Sequence, residues 1–138
     1  MTTTADMTAL LEDIYASISS GDASAYLARL SDDVVGIGTD EAEWWVGRDA
    51  MAPIIEVQLK EMSGAGIRFT SGGPVVGEAG DVAWLADRPT VHLPDGSSQR
   101  LRATLVASRE GDALVVRQMH LSAPAPNEEV VQMSLTTE

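Results

Sequence analysis

Cysteine is absent from the 138-residue chain, and aromatic and basic residues are scarce. Without cysteine the protein forms no disulfide and has no thiolate for catalysis or metal binding, which is compatible with a reducing compartment and predicts a cytoplasmic location. Lysine and arginine number 9 against 21 aspartate and glutamate residues, for a formal net charge of −12. The acidic residues are scattered, and such a field repels phosphate groups. We therefore expect neither nucleic acid nor an anionic membrane as a partner.

Long apolar runs are also missing. The amino-terminal stretch MTTTADMTALLEDIY has no basic segment and reaches acidic residues before any long apolar run. This pattern predicts neither a signal peptide nor a transmembrane helix. A chain of 138 residues has the size of one domain and buries about two thirds of its unfolded surface without disulfides. We expect a single domain over residues 1–138, with a carboxy-terminal tail at about 126–138.

Helical periodicity dominates the first part of the chain. A first helix is predicted by an apolar stripe behind a threonine-rich start, and SSGD at 19–22 ends it. Asp22 then caps a short second helix, a brief strand follows at 34–38, and a loop occupies 39–49. A third helix over 51–62 has Pro53 in its first turn, where proline is tolerated. The apolar residues that mark the first two helices are Met7, Leu10, Leu11, Ile14 and Ile18, then Tyr26, Leu27 and Leu30.

After Gly66 the pattern changes from helical to extended. Stretches rich in Val, Leu, Thr and Trp lie at about 66–78, 81–92, 98–110 and 113–121, separated by the turn sequences EAGD, LPDGSS and REGD. This predicts an antiparallel meander, with a bulge or bend at Gly72-Gly73-Pro74. Helices followed by strands indicate an α+β fold, in which three amino-terminal helices pack on one face of a strongly curved, mostly antiparallel sheet.

Five segments, in this order, are typical of one known superfamily: SGDASAYLARLSDDVVGIGTD at 20–40, EWWVGRDA at 43–50, DVAWLAD at 81–87, LRATLVASREGDALVV at 101–116 and HLSAPAPNEE at 120–129. In these segments the chain resembles the SnoaL-like branch of the nuclear transport factor 2 superfamily. The resemblance implies a cone-shaped domain with a central pocket. It leaves the activity open, because the superfamily includes isomerases, cyclases, dehydratases, epoxide hydrolases and non-catalytic assembly domains.

The steroid isomerases of that superfamily imply positions for catalytic groups, and this chain departs from them. Their general-base aspartate matches Gly38, their protonated second acid matches Leu105, and their helix-one tyrosine matches Ile14, with Tyr15 one residue away. That reaction is therefore not expected. The kinase association domain of the superfamily ends in a comparable His-x-Ser stretch and is an assembly hub, which keeps a non-catalytic function open.

The stretch RQMHLSAPAP at 117–126 closes the last predicted strand with polar side chains in alternation. If the resemblance sets the register, Gln118, His120 and Ser122 share the concave face and line the pocket. His120 is then the inward side chain whose ordinary pKa, about 6.5, suits proton transfer at neutral pH. The alternative is a structural histidine that donates to a helix carbonyl. His120 is our predicted general acid or base.

Trp84 and Arg88 are expected to alternate onto the same inner face, and both are assigned to ligand binding. Trp84 could instead be an ordinary core residue, since tryptophan buries a large apolar area. An inward arginine requires a carboxylate, solvent at the mouth of the cone or an anionic ligand. If the strand register is displaced by one residue, Arg88 is instead a surface residue.

The loop at 39–49 contains two adjacent tryptophans among acidic residues. Such a loop typically closes over a pocket mouth or a subunit interface. We expect one of Trp44 and Trp45 to face the pocket and the other to pack on the third helix. Asp40 is a candidate to orient or deprotonate a group beside His120, or else it begins a solvated turn. Tyr26 of the second helix completes the predicted ligand-binding set.

No cofactor or metal is predicted. The two histidines and the scattered acids lack any metal-ligand spacing, and GIGTDE has neither a phosphate-loop lysine nor a dinucleotide-binding pattern. The predicted function is binding of a small hydrophobic molecule, with a cyclase, isomerase or dehydratase activity through His120 as one form of it. The alternative is a non-catalytic ligand-binding or assembly module.

Two further expectations concern the outer surface. A meander whose outward positions include Leu85, Val106 and Val116 needs cover on that side, which predicts a homodimer through the outer sheet face. In the tail PNEEVVQMSLTTE, the alternation of Val131, Met133 and Leu135 allows an added edge strand, while the flanking acids and threonines also suit a loose end. We expect residues 124–132 to pack on the domain and the last few to fray.

Overall fold

Residues 2–138 are described by the computed structural model, and they form the expected α+β fold. The first helix begins with a capping box, in which the Thr3 hydroxyl accepts from the Asp6 N–H (3.1 Å) and the Asp6 carboxylate accepts from the Thr3 N–H (3.0 Å). It ends at Gly21, which has a φ of 74° and caps the helix in the left-handed conformation. The helices are α1 (Thr4–Ser20), α2 (Ala23–Ala28), α3 (Arg48–Gly64) and α4 (Asn127–Val131).

The predicted start of the second helix is confirmed, and that of the third is wrong. Asp22 caps α2 as expected, because its carboxylate accepts from the Ala25 N–H at 3.0 Å. Leu30 does not belong to α2 and instead opens the first strand. Helix α3 begins at Arg48, earlier than predicted, so Pro53 lies beyond its first turn. The prediction for Pro53 was therefore wrong.

Two sheets are formed by the strands of residues 2–138. The larger has six strands in the order β2-β1-β9-β8-β5-β4, antiparallel except for the parallel pair of β1 and β9, and the smaller has three in the order β3-β6-β7. The strands are β1 (Leu30–Ile37), β2 (Trp44–Val46), β3 (Arg68–Thr70), β4 (Val75–Ala79), β5 (Val82–Asp87), β6 (Thr90–His92), β7 (Ser98–Arg100), β8 (Arg102–Glu110) and β9 (Ala113–Ser122). Strand β2 lies in the segment that was predicted to be a loop.

The long predicted strands are bent into pairs of shorter ones. Between β3 and β4 the Gly72 N–H donates to Asp87 Oδ1 (3.0 Å), and a Cβ at Gly72 would lie 2.2 Å from the Arg88 carbonyl oxygen. The predicted bend at this glycine is confirmed. The hairpin from β5 to β8 keeps one register across its own bend, with Asp87 opposite Ala103 and Thr90 opposite Arg100. These bends direct the small sheet over one end of the large one.

Cross-strand rows divide the large sheet into an inner face and an outer face. One row points toward the helices and packs on the core, and the adjacent rows point away from them. The inner row consists of Trp45, Gly36, Met119, Leu105, Leu85 and Val76. The outer rows consist of Val46, Val35, Gln118, Val106, Trp84 and Gly77, and of Trp44, Ile37, His120, Thr104, Ala86 and Val75.

A bulge at Arg117 sets these faces on β9. Val116 lies opposite Ala107, both fully buried, but the next paired residue is Gln118, opposite Val106. Arg117 is therefore an extra residue in β9, and strict alternation fails there. Its side chain is held outside by the Ser108 hydroxyl (2.8 Å) and by Asp33 (3.1 Å). Beyond the bulge the odd-numbered residues of β9 point inward.

The core lies between the helices and the inner face of the sheet. Its largest fully buried side chains come from both layers, and they include Met7, Leu30, Val34, Met51, Leu59, Leu85 and Val116. Leu85 and Val116 were expected on the outer face, and that prediction was wrong; Val106 is the one of the three that lies there. Within residues 2–138, no helix has the length and apolar character required to cross a membrane.

The tail departs from its prediction. It contains the short helix α4, with no buried residue, and every residue from 128 onward is exposed. Val131, Met133 and Leu135, whose alternation allowed an edge strand, are all at least 46% exposed. The expectation that residues 124–132 pack on the domain was wrong, because these apolar side chains find no partner surface on the domain.

Candidate functional site

A cavity of about 520 Å³ lies inside the cone, between the helices and the inner face of the sheets. Its wall is mainly apolar. Phe69 and Val91 of the small sheet close one side, and α1, α3 and the inner row of the large sheet form the rest. The apolar lining includes Leu11, Ile14, Ile18, Met51, Ile55, Leu59, Met62, Leu101 and Leu105. This volume is typical of small-molecule sites, which measure about 300–1,000 Å³.

Trp45 is the tryptophan of the loop pair that lines the cavity. It lies in the inner row beside Gly36, where an added Cβ would meet Trp45 Cε3 at 3.4 Å and the Met51 sulfur at 2.9 Å. The glycine therefore allows the indole and the methionine to lie against the backbone of β1. Trp44 points the other way and is 66% exposed. It neither faces the cavity nor packs in the core.

Glu43 places a carboxylate in the cavity wall. Its Oε1 accepts from the Asp40 N–H (2.9 Å), and its Oε2 accepts from Gln58 Nε2 of α3 (3.0 Å). A Cβ at Gly38 would lie 2.8 Å from Glu43 Cβ, Cδ and Oε1, so the side chain lies directly over the glycine. Two hydrogen bonds and this close contact hold the carboxylate in one position.

Tyr26 contributes a second polar group from α2. It is buried, and its hydroxyl donates to the Met119 sulfur at 3.3 Å. Burial, and then the negative charge of Glu43, raise the pKa of the Tyr26 phenol well above its ordinary value. The phenol is therefore a neutral donor at physiological pH, and its donor is directed at Met119.

Tyr15 and Asp87 form a buried polar pair beside the cavity. The Tyr15 hydroxyl donates to Asp87 Oδ2 at 2.8 Å, while Asp87 Oδ1 accepts from the Gly72 N–H. Burial and the hydrogen bond to Asp87 raise the pKa of the Tyr15 phenol far above its ordinary value. The ring packs on Phe69 with centroids 5.8 Å apart. Tyr15 and Phe69 both line the cavity, whereas Asp87 lies behind them and is 4% exposed.

The sequence-predicted site residues separate into two groups. Tyr26 and Trp45 line the cavity as expected. Asp40 does not line it: the residue is exposed, its Oδ1 accepts from the Ala42 N–H (2.8 Å), and its own N–H supports Glu43. The second reading of Asp40, as the start of a solvated turn, is the one that the structure bears out.

Four of the residues predicted on the inner face of β5 and β9 do not line the cavity. Trp84, Gln118 and Arg88 are exposed, and Ser122 is half-buried but does not line the cavity. For β9 the bulge at Arg117 is the cause, because it exchanges the two faces of the strand. For β5 the register is displaced by one residue, which buries Ala83, Leu85 and Asp87 instead. The indole of Trp84 lies over Gly77 of β4, where an added Cβ would meet its ring at 2.5 Å.

His120 lies at the border of the cavity but on the outer row of the sheet. Its strand neighbour Met119 is the one that packs inward and accepts the Tyr26 hydrogen bond. His120 is exposed, and it lines the cavity together with its cross-strand neighbours Ile37 and Thr104. His120 lines the cavity as expected, whereas Gln118 and Ser122 do not, so the predicted polar face of three residues was wrong for those two.

Several polar residues at or beside the cavity were missed, among them Tyr15, Glu43, Gln58, Glu61 and Asp87. In the sequence, Tyr15 and Asp87 each follow an apolar residue of a regular pattern, and nothing in their spacing links positions 72 apart. Glu43 is one of three acidic residues that precede Trp44 in the loop at 39–49, and the sequence does not distinguish it from Asp40 and Glu41. Gln58 is a polar residue on the predicted buried side of α3, which was the one available signal. No group of histidine, cysteine and acidic residues in residues 2–138 could hold a metal ion.

Comparison with known proteins identifies relatives by sequence profile and by structure. The profile of the SnoaL-like domain matches residues 7–126. No curated protein sequence matches the chain. A nuclear transport factor 2-like protein of unknown function from Pseudomonas putida is 24% identical with a TM-score of 0.80, and the alignment covers 97% of this chain and 94% of that one.

Two other solved structures share the fold at lower identity. One, from Streptomyces avermitilis, is named as a candidate dehydratase of the nuclear transport factor 2-like family, with 16% identity, a TM-score of 0.76 and coverage of 86% and 94%. The other, from Xanthomonas campestris, is named as a candidate calcium/calmodulin-dependent protein kinase II association domain, with 19% identity, a TM-score of 0.69 and coverage of 89% of each chain. At these identities the likeness establishes the fold and not the chemistry.

Proposed function

The chain belongs to the SnoaL-like domain family, and from this premise we propose that it binds a small hydrophobic molecule in the cavity of its cone. The cavity is the main support: about 520 Å³ of space remains between the helices and the sheets, bounded by mainly apolar side chains. Protein interiors are otherwise close-packed, and unfilled volume of this size costs stability. A bound apolar molecule would recover the lost contacts.

A neutral fluorescent probe tests this proposal. N-phenyl-1-naphthylamine gains fluorescence in apolar surroundings, so binding in the cavity should give a saturable signal. Ala103→Leu adds side-chain volume to the cavity wall and should weaken the probe's binding at least ten-fold. Ala16→Leu, on the exposed side of α1, makes the same substitution elsewhere and should leave binding unchanged. Equal binding by both variants would contradict the proposal.

A second candidate function is catalysed proton transfer in the same cavity. The fixed carboxylate of Glu43 supports it, and the neighbour from Streptomyces avermitilis named as a candidate dehydratase is consistent with it. Glu43 takes the role of general base in this proposal, because two hydrogen bonds hold its carboxylate in the cavity wall. The test is deuterium exchange of the α-protons of 2-undecanone in D₂O, followed by NMR. Exchange no faster than in buffer, or equally fast with Glu43→Gln, would contradict catalysis by Glu43.

We also propose that two copies associate through the outer sheet face. Exposed apolar residues are concentrated there, with Trp84 45% and Trp44 66% exposed and Val46 and Val75 more so. Exposed large apolar side chains on one face are typical of subunit interfaces, and a two-fold axis is the usual arrangement. Light scattering should give the mass of a dimer at micromolar concentration, and the mass of a monomer would overturn the proposal.

A further inference from the structure

The permanently charged side chains that line the cavity are hydrogen-bond acceptors. Two of its lining residues, Glu43 and Glu61, carry carboxylates, and within residues 2–138 no lysine or arginine lines it. The remaining basic side chain among the lining residues is the imidazole of His120. An entering ligand therefore meets negative charge without a fixed positive partner.

Three of the donors that line the cavity are already engaged, whereas the side chains of Thr39, Gln99 and Thr104 are neutral groups that can both donate and accept. The Tyr15 hydroxyl donates to Asp87, the Tyr26 hydroxyl donates to Met119, and Gln58 donates to Glu43. Each phenol thus presents its oxygen lone pairs, and not its proton, to a further partner. Because buried polar groups require complementary partners, a ligand that brings donors fits this arrangement better than one that brings acceptors.

Glu43 is the group best placed to receive such a donor. Each of its oxygens accepts one hydrogen bond from the protein, from Asp40 and from Gln58, and a carboxylate oxygen can accept another. Its position is set before any ligand binds, since the side chain is pressed over Gly38. Preorganised carboxylates of this kind form strong charge-assisted hydrogen bonds with cations.

We propose that the cavity selects an apolar molecule whose polar end is a hydrogen-bond donor, in the first place a protonated amine, and that Glu43 binds that end. The inference rests on the proposed ligand-binding function and names the chemical class of its ligand. A carboxylic acid of the same skeleton would meet Glu43 and Glu61 as like charges, so the cavity should exclude it.

Three probes with one hydrocarbon chain test this selectivity: decylamine, 1-decanol and decanoic acid. Each is titrated at neutral pH into the wild-type protein with bound N-phenyl-1-naphthylamine, and displacement of the dye is measured. We expect the amine to compete about ten-fold better than the alcohol, consistent with one charge-assisted hydrogen bond, and the acid to compete least. Decanoic acid competing as well as decylamine would overturn the inference.

Two variants test whether Glu43 is responsible for the preference for decylamine. Glu43→Gln retains an oxygen for the Asp40 N–H while removing the charge, so decylamine should lose its ten-fold advantage and 1-decanol should compete as before. Glu56→Gln removes the same charge from an exposed position of α3 that does not line the cavity. An equal loss in both variants would show that the field of the whole acidic protein, and not Glu43, favours the amine.

The outcomes separate this inference from the function on which it rests. If the fluorescent probe itself does not bind, both are wrong. If the probe binds and 1-decanol displaces it as well as decylamine does, the cavity binds hydrophobic molecules but the inference about their polar end is wrong. The ranking on the wild-type protein decides this even if Glu43→Gln does not fold.

Discussion

The hydroxyl of Tyr15 donates to Asp87 Oδ2 at 2.8 Å, joining α1 to the end of β5 across 72 positions of sequence. Asp87 also accepts from Gly72 at the bend between β3 and β4. One carboxylate thus holds a helix, a strand end and a bend together behind the cavity. A carboxylate that is 4% exposed can be accommodated only with such donors in place.

Removal of the Tyr15 hydroxyl should therefore destabilise the fold. Tyr15→Phe leaves Asp87 with the Gly72 N–H as its remaining donor, and we expect a loss of about 1–3 kcal/mol in the free energy of unfolding. Tyr26→Phe is the matched control: its hydroxyl donates to a sulfur, a weak acceptor, so the loss should be below about 1 kcal/mol. Urea unfolding measures both. Equal losses would show that Asp87 does not depend on the phenol.

The periodicity of the sequence was sufficient for the helices and the meander, because burial of apolar stripes determines both. It was not sufficient for the faces of β5 and β9. In VAWLAD one alternation is apolar throughout and the other ends in Asp87, so the pattern favoured the wrong face and could not show that Trp84 lies outside and Leu85 inside. On β9 the deciding feature is Arg117, whose extra position depends on Ser108 and Asp33 from other strands. A bulge stabilised by distant partners leaves no local signal.

The sequence predicted cavity-lining residues only where a single side chain indicates the site by its own size and position. Trp45 and Tyr26 are large side chains in segments that close over a cavity, and both line it. The Glu43 position depends on Gly38, Asp40 and Gln58 together, from a strand, a turn and a helix. Such a constellation arises from tertiary packing, which a single sequence does not report.

Gly38→Ala should disturb the cavity through Glu43. The new Cβ would lie 2.8 Å from Glu43 Cβ and Cδ, too close for the side chain to keep its position. We expect decylamine to bind several-fold more weakly, with 1-decanol little affected, in the same displacement assay. Gly64→Ala is the control, because an added Cβ there meets no atom within 4 Å. Unchanged decylamine binding by Gly38→Ala would contradict the assigned position of Glu43.

A charge on the outer sheet face should dissociate the proposed dimer. Trp84→Lys places an ammonium group in the outer row, next to Val106, where burial in an interface would be costly. We expect a monomer by sedimentation at micromolar concentration, with the fold retained. Val57→Lys, at a 55% exposed position of α3, should remain dimeric. A dimer that survives Trp84→Lys must use another surface.

Truncation of the tail should have little effect on stability. Residues 127–138 contain no buried side chain, so their removal exposes little apolar surface of the domain. The free energy of unfolding should change by no more than about 0.5 kcal/mol, the range of ordinary surface changes. A larger loss by urea unfolding would show that α4 packs on the domain.

Acid should weaken the fold in part through Asp33. The hydrogen bond from Ser31, and then that from Arg117, hold the pKa of Asp33 below its ordinary value of 3.8. Since the folded-state pKa is the lower one, the folded protein binds fewer protons than the unfolded chain in this range. The contribution is therefore complete above the unfolded pKa and is lost as pH falls, from about pH 5 downward.

In Asp33→Asn the free energy of unfolding should accordingly fall less steeply than in the wild type as the pH is lowered. The variant is expected to be less stable than wild type at pH 7, and the difference should shrink steadily between pH 5 and pH 3 in urea unfolding. Glu41→Gln serves as control, since its side chain accepts no hydrogen bond within residues 2–138, and its profile should parallel that of the wild type. Because Asp33 also holds Arg117 in the bulge of β9, a pH-independent loss in Asp33→Asn would mean that its neutral hydrogen bonds, and not its charge, secure that bulge.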